Sequence, residues 1–307
     1  MAVTTIEPDR GDVGLRVDRV LRRHLAHLRG ASRNRLQHLI DQGAVRINGT
    51  PVTRSSRRVM AGDSIVVDLP AQREPRPPVA EALPLNVLYE DDDLLLVDKP
   101  AGQVSHPSFG NRSGTLLNAL LAYSAGRWTP ALVTRLDKAT SGLVLVAKGR
   151  AMHATLQRLG ERQGIEKSYL AIVSGRPPMK GTIDLALDRD PWDRRRVAVR
   201  DRGGVPSVTM FQRLRTVAVA SDRYLSLLRC RLVTGRMHQI RVHLAAKGWP
   251  IVGDPVYGTA CASIDRQALH AWHLAFTHPH TRAQVDVTAP IPADIDLLLR
   301  EFELIRR

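Results

Sequence analysis

The chain has 307 residues, 45 Lys and Arg against 30 Asp and Glu, a formal charge of +15 and two cysteines. That length exceeds what one small core needs and favours two unequal domains, while the charge favours a polyanionic partner, nucleic acid ahead of a membrane surface. Cys230 and Cys261 are too few and too far apart for a disulfide framework or a zinc knuckle and read as buried apolar filler. There is no apolar run long enough to cross a bilayer, and the start MAVTTIEPDRGD does not read as a signal peptide, so a cytoplasmic protein is expected.

Residues 14–69 hold eleven Arg and no Lys against Asp18, Asp41, Asp63 and Asp68, a local charge of +7. Val17, Val20, Leu21, Leu25 and Leu28 recur at helical spacing, and Ser32 reads as the N-cap of a second helix that carries Leu36, Leu39 and Ile40 and stops at Gly43. Val45 and Ile47 alternate with polar residues before Asn48-Gly49, a hairpin signal, and another strand follows over 64–69. Two helices and then a small sheet are expected. Arginine to the exclusion of lysine beside a tight hairpin points to phosphate binding, with Arg22, Arg23, Arg33, Arg35, Arg46, Arg54, Arg57 and Arg58 as the candidates.

Residues 70–84, PAQREPRPPVAEALP, hold five prolines and read as a semi-extended linker, so a second domain is expected over 85–307. Strands are expected at 85–89, 94–97, 143–148, 168–174, 195–199, 207–214, 224–232 and 269–276, and helices at 115–123, 151–159, 239–246 and 293–305. More strands than helices, without βαβ alternation, indicate an α+β fold around a large mixed or antiparallel sheet.

The usual signatures of ATP, dinucleotide and zinc chemistry are missing: no GxxxxGK[ST], no GxGxxG after a strand, no HExxH and no CxxC. His238 with His243, and His278 with His280, are spaced poorly for metal ligation, and Ser141 before Gly142 reads as a turn residue rather than a nucleophile. What stands out is TRLDKATSGL, residues 134–143, where Asp137 lies between Arg135 and Lys138. An Asp before Thr-Ser-Gly commonly caps a turn, yet the two cations favour an ionised carboxylate beyond what a cap requires. The residues alone leave both readings open. In TGRMHQIRVHLAAKG, residues 234–248, Arg236, His238, Arg241 and His243 crowd the start of a helix, where cations are not electrostatically preferred, so an anion is expected nearby, either a phosphate or a carboxylate such as Asp137.

SRNRLQHLIDQGAVRINGTPV resembles the small RNA-binding domain of ribosomal protein S-four, over residues 14–69. RLDKATSGLVLVAK resembles the signature of the RluA-type pseudouridine synthases, LYEDDDLLLVDKPAGQVSHPS their first motif and TGRMHQIRVHLAAKGWPIVGDPVYG their third, while LHAWHLAFTHP fits the family near its end. The chain departs from that pattern at Thr134, where a His is usual, and at Met237, where a Thr is usual. The resemblance implies an isomerase that turns uridine into pseudouridine, needing one ionised carboxylate and no cofactor or metal. It implies Asp137 as nucleophile or base, Tyr169 against the target base, Arg241 paired with Asp137, and Arg135 in the space that the flipped base leaves. Lys99 and His106 in the first motif, and Arg236 and His238 in the third, are candidates for holding RNA. The expected partner is RNA, large-subunit ribosomal RNA ahead of transfer RNA, with no membrane and the chain acting as a monomer. A non-catalytic RNA-binding assembly factor is the rival of another class, and an RNA glycosidase would need a second acid that no motif offers.

Overall fold

The computed structural model describes residues 2–26, 33–69, 77–108, 110–191, 193 and 196–305, and the chain divides into two compact units, Met1–Pro77 and Pro78–Arg307. The smaller unit runs β1 (Ala2–Ile6), α1 (Val17–His24), α2 (Arg33–Asp41), β2 (Val45–Ile47), β3 (Thr50–Pro51) and β4 (Ile65–Leu69). Its strands form an antiparallel sheet in the order β1-β4-β2-β3. The helical stripe Val17, Val20, Leu21 and Leu25 and the stripe Leu36, Leu39 and Ile40 are buried with Val45, Ile47, Ile65 and Val67 in one core. Each such side chain contributes about 1.5–3 kcal/mol by leaving water. Asn48 and Gly49 both have positive φ, 50° and 81°, the backbone that a two-residue hairpin turn requires. Arg16 offers no side-chain cap to α1, and the Val17 N–H instead donates to Arg57 O at 2.8 Å. Ser32 and Leu28 lie outside the described residues. β1 has no counterpart in the sequence reading; it is an edge strand paired with β4 from Ala2↔Leu69 to Ile6↔Ile65.

The larger unit opens with β5 (Asn86–Glu90), β6 (Leu94–Lys99), α3 (Leu116–Ser124), β7 (Ala131–Leu132), β8 (Ser141–Ala147), α4 (Arg150–Glu161) and β9 (Ile165–Ser174). It continues with β10 (Lys180–Asp184), β11 (Leu187–Arg189), β12 (Val197–Val199), β13 (Val208–Ala220), β14 (Arg223–Leu232), α5 (Gln239–Ala246), β15 (Leu269–Thr277), β16 (Gln284–Thr288) and α6 (Ala293–Glu301). Among the described residues a ten-stranded sheet follows the path β10-β13-β14-β9-β15-β8-β6-β5, with β16 beside β15 and β7 beside β8, and β11 pairs with β12 alone. The large sheet is antiparallel except where β8 meets β15 in parallel over His270↔Ser141 and Ala271↔Gly142. This is the α+β class expected. Every residue of β8 is buried, as a continuous apolar run in a central strand should be. Among the described residues no helix is long and apolar enough to cross a membrane.

Residues 78–84 are not a free linker. The Asn118 side-chain amide donates to Val79 O at 2.7 Å, the Glu81 N–H to Asn118 O at 3.0 Å, and the Gly114 N–H to Glu81 Oε2 at 2.9 Å. A proline-rich stretch signals extended backbone, and extended backbone lies along a helix as readily as it spans a gap. Asn118 also closes a capping box with Thr115 at the start of α3. Cys230 is fully buried, which pushes its thiol up to about 12, whereas Cys261 is only partly buried, contrary to its reading as core filler.

Candidate active site

Asp137 lies in the loop that enters β8, and its neighbours in that loop are tied down one after another. The Thr140 N–H donates to Asp137 O at 3.1 Å, and Lys138 O accepts from the Gly102 N–H at 2.8 Å and from Lys99 Nζ at 3.3 Å. Ala139 O accepts from Arg266 Nη1 at 3.1 Å, and Thr140 Oγ1 from the Gln267 side-chain amide at 3.0 Å. Ser141 Oγ and His270 Nδ1 are 2.9 Å apart in the buried interior, so Ser141 is a fastening and not a nucleophile facing substrate. Gly142 has φ 111°, and a Cβ there would stand 2.2 Å from Ala271 O; only glycine lets the parallel strands close. The Asp137 carboxylate is therefore presented by a rigid loop with 25 % of its surface exposed.

The anion expected near the first turn of α5 is two carboxylates. Arg241 Nη1 donates to Asp137 Oδ2 at 2.9 Å, while Nε and Nη2 donate to Asp254 Oδ2 and Oδ1 at 2.7 and 2.8 Å. Arg241 is 4 % exposed and Asp254 1 %, and the Tyr257 ring lies 5.1 Å from the guanidinium carbon. Burial alone would raise the Asp254 carboxyl, but the hydrogen bond and charge of Arg241 and two backbone N–H groups outweigh it and hold the group below the usual range. Burial alone would lower Arg241, but the hydrogen bonds and charges of Asp254 and Asp137 outweigh it and raise the group. The sequence reading missed Asp254, because a Gly-Asp-Pro turn signals only a turn.

His238 and Tyr169 face the same carboxylate. His238 Nε2 is 3.8 Å from Asp137 Oδ2. The Tyr257 hydroxyl accepts from the Val197 N–H at 2.8 Å and shares a 3.0 Å bond with His238 Nδ1. Burial lowers the His238 pKa against the pull of Asp137, with Arg241 adding to the lowering. Tyr169, on β9, is 9 % exposed within the main core, and burial, helped by the Asp137 charge, pushes its phenol well up. The structure thus brings Asp137, Arg241, His238 and Tyr169 together.

The remaining candidates are spread out. Arg135 and Arg236 are exposed, and neither makes an ion pair among the described residues. His106 is half-buried, with its pKa lowered by burial and by Arg135, on a loop whose Ser105 Oγ donates to Leu136 O at 3.0 Å. Lys99 needs a correction as an RNA ligand. It is fully buried, and its Nζ donates to Pro100 O at 2.7 Å, Gln103 O at 2.9 Å and Lys138 O, which leaves no donor for a phosphate. Burial, with the charge of Arg266, lowers its pKa to about 8. In the smaller unit Arg22, Arg23, Arg54, Arg57 and Arg58 are exposed and Arg35 and Arg46 half-buried, while the side chain of Arg33 lies outside the described residues. Among the departures from the family pattern, Thr134 Oγ1 accepts from the Leu145 N–H at 2.9 Å, and Met237 packs with Leu187, Val197 and Val242.

Residues 93–246 match the family model described as RNA pseudouridylate synthase, and residues 15–65 match the S4 domain. The chain is 38 % identical to ribosomal large subunit pseudouridine synthase D of Zymomonas mobilis, over 96 % of each chain. It is 40 % identical to the protein of the same name in Nitrosomonas europaea, over 94 % of this chain and 84 % of that one. Among solved structures it is similar to human RNA pseudouridylate synthase domain containing 1, with a TM-score of 0.55 and 26 % identity over 74 % of this chain and 97 % of that one. With a family model spanning half the chain and relatives aligned along nearly all of it, the chain belongs to the RNA pseudouridylate synthases, a family of isomerases.

Proposed function

We propose that this protein converts uridine to pseudouridine in large-subunit ribosomal RNA, with Asp137 as the reacting carboxylate. In that reaction the bond from the ribose carbon to N1 of uracil breaks, the base turns, and a bond forms from the same ribose carbon to C5. C5 gives up its proton and N1 gains one. No electrons are exchanged. One carboxylate beside the sugar, as nucleophile or as base, meets the demand. The observation that carries this reading is the pairing of Asp137 Oδ2 with Arg241 at 2.9 Å, while no hydrogen bond among the described residues reaches Oδ1.

The other roles follow from position. The Tyr169 ring supplies a flat face beside Asp137 for a uracil turned out of its helix. Arg135, exposed two residues from Asp137, is free to enter the gap that the base leaves. Arg241 orients the carboxylate. A glycosidase reading requires a second acid able to give up a proton, and Asp254, buried and hydrogen-bonded through both oxygens, does not serve. An S4 domain in front of the catalytic unit, and the names of the relatives, support ribosomal over transfer RNA. The chain acts as a monomer in this reading, and with ribosomal RNA as substrate the site of action is the cytoplasm.

The test is pseudouridine formed on ribosomal RNA from cells lacking this protein, with transfer RNA from the same cells alongside. Asp137→Asn keeps size and polarity and removes the charge, so modification should fall to background while RNA binding persists. Wild-type turnover by Asp137→Asn sinks the catalytic assignment. If the wild type binds ribosomal RNA tightly and modifies neither RNA, a non-catalytic assembly factor becomes the better reading.

A further inference from the structure

We infer that Asp254 is a positioning residue for the reaction: by holding the Nε and Nη2 side of Arg241 it fixes the direction of that arginine, so that a single hydrogen bond from Nη1 meets Asp137 Oδ2 and Oδ1 is left free to react. The inference rests on the reading of Asp137 as the reacting carboxylate.

A guanidinium presents a pair of parallel N–H groups along each of two edges, and a carboxylate aligned with an edge takes both. Two carboxylates compete for Arg241, and Asp254 wins the fork because it cannot move. Its Oδ1 also accepts from the backbone N–H groups of Val256 at 2.9 Å and Tyr257 at 3.1 Å, so both its oxygens are committed. The turn that carries it is shaped at both ends by glycine: a Cβ at Gly253, φ 71°, would stand 2.2 Å from Arg266 O, and one at Gly258 would stand 2.2 Å from Ile251 O. The Tyr257 ring covers one face of the guanidinium. Arg241 is thereby fixed in plane and in direction before Asp137 is considered, and, held so, it meets Asp137 through Nη1 alone.

The arrangement has two effects on Asp137. Oδ2 is held and Oδ1 is not, so the two oxygens differ and the unheld one is the atom to meet the sugar. The charge of Arg241 is also shared with Asp254, so Asp137 keeps a net negative field around it. Without Asp254, Arg241 would be free to turn and close a two-bond contact on Asp137, tying up both oxygens and cancelling the charge that the reaction uses. The charged and titratable groups facing the Asp137–Asp254 pair are Arg241, His238, Lys99, Tyr169 and Tyr257.

Asp254→Asn tests this on the full-length protein with ribosomal RNA lacking the modification. The expected result is a fall in kcat of about a hundredfold, the scale of a displaced reacting group, with KM within about twofold. Asp254→Asn is compared with Arg241→Met and with the double variant, which removes both charges of the pair and keeps a measurement available if Asp254→Asn alone folds poorly. The double variant should be no slower than Arg241→Met. Wild-type kcat in Asp254→Asn, a loss carried by KM rather than kcat, or additive losses in the double variant would each overturn the inference. Activity in Asp137→Asn would instead overturn the reading beneath it, so the two failures are told apart.

Discussion

In the smaller unit Arg22, Arg23, Arg54, Arg57 and Arg58 stand in water; in the larger one Lys99, Arg241 and Arg266 are enclosed. The surface set is paired loosely or not at all: Arg23 reaches Asp9 and Asp12, whereas Arg22 and Arg54 make no ion pair among the described residues. The enclosed set is fully committed. Arg241 joins Asp254 to Asp137, Arg266 joins Asp294 of α6 to Ala139 O, and Lys99 holds three carbonyls. One kind of charge thus serves two ends. On the surface it acts at a distance, is screened by salt and is nearly additive from residue to residue. Inside it acts by direction, and each cation fixes a stretch of backbone near one carboxylate.

The largest expected effect is therefore at an enclosed cation. Arg241→Met leaves two carboxylates without their shared partner, Asp254 within the core, and should cost about 3–5 kcal/mol of stability along with most of the activity. Chemical unfolding measures the first and pseudouridine formation the second; a loss below about 1 kcal/mol would place Arg241 with the surface set. An intermediate effect comes from acid. Burial, reinforced by Arg266, lowers the His270 pKa from 6.5 to about 4. The unfolded chain therefore binds a proton below pH 6.5 that the folded chain refuses until about pH 4, and stability falls as pH drops through that window, by up to about 3 kcal/mol. His270→Gln should flatten the fall, and an unchanged pH profile of unfolding would show that His270 does not carry it. The smallest effect on the fold is at the surface: Arg22→Ala with Arg54→Ala should shift stability by no more than about 0.5 kcal/mol. The same pair should reduce the salt slope of RNA binding by roughly 0.7–0.9 for each phosphate contact removed. A slope equal to that of the wild type would exclude both arginines from the RNA contact.

What could be read in advance follows the same division. The stripe Val17, Val20, Leu21, the Asn48-Gly49 turn and the apolar run of β8 declare themselves because each is a local pattern with one good solution. The motifs around Asp137 and Arg241 were legible as a resemblance, and the crowding of cations at α5 as a misfit needing an anion. Asp254 was not, since its meaning lies in a partner thirteen residues earlier in the chain and in a turn shaped by Ile251 O and Arg266 O. Lys99 before a proline looks like any surface cation until the carbonyls that enclose it are known. β1 and β10 are short, partly polar strands whose hydrogen bonds go to neighbours distant in sequence, β16 is as short and polar beside β15, and such strands carry little signal of their own.

The parallel contact between β8 and β15 has a consequence for the order in which the chain acquires its working form. Ser141 and His270 are 129 residues apart in sequence, as far as any hydrogen bond in the Asp137 loop reaches, and Arg266 and Gln267 tie the same loop from nearly that distance. During synthesis at about 5–20 residues per second, the smaller unit and the strands up to β14 have their local partners well before β15 leaves the ribosome. Closing so long a loop also has an entropic cost that only the finished contact recovers. The carboxylate at residue 137 is thus made early and set late, and an incomplete chain has its first unit in hand while the loop around Asp137 is still unfastened.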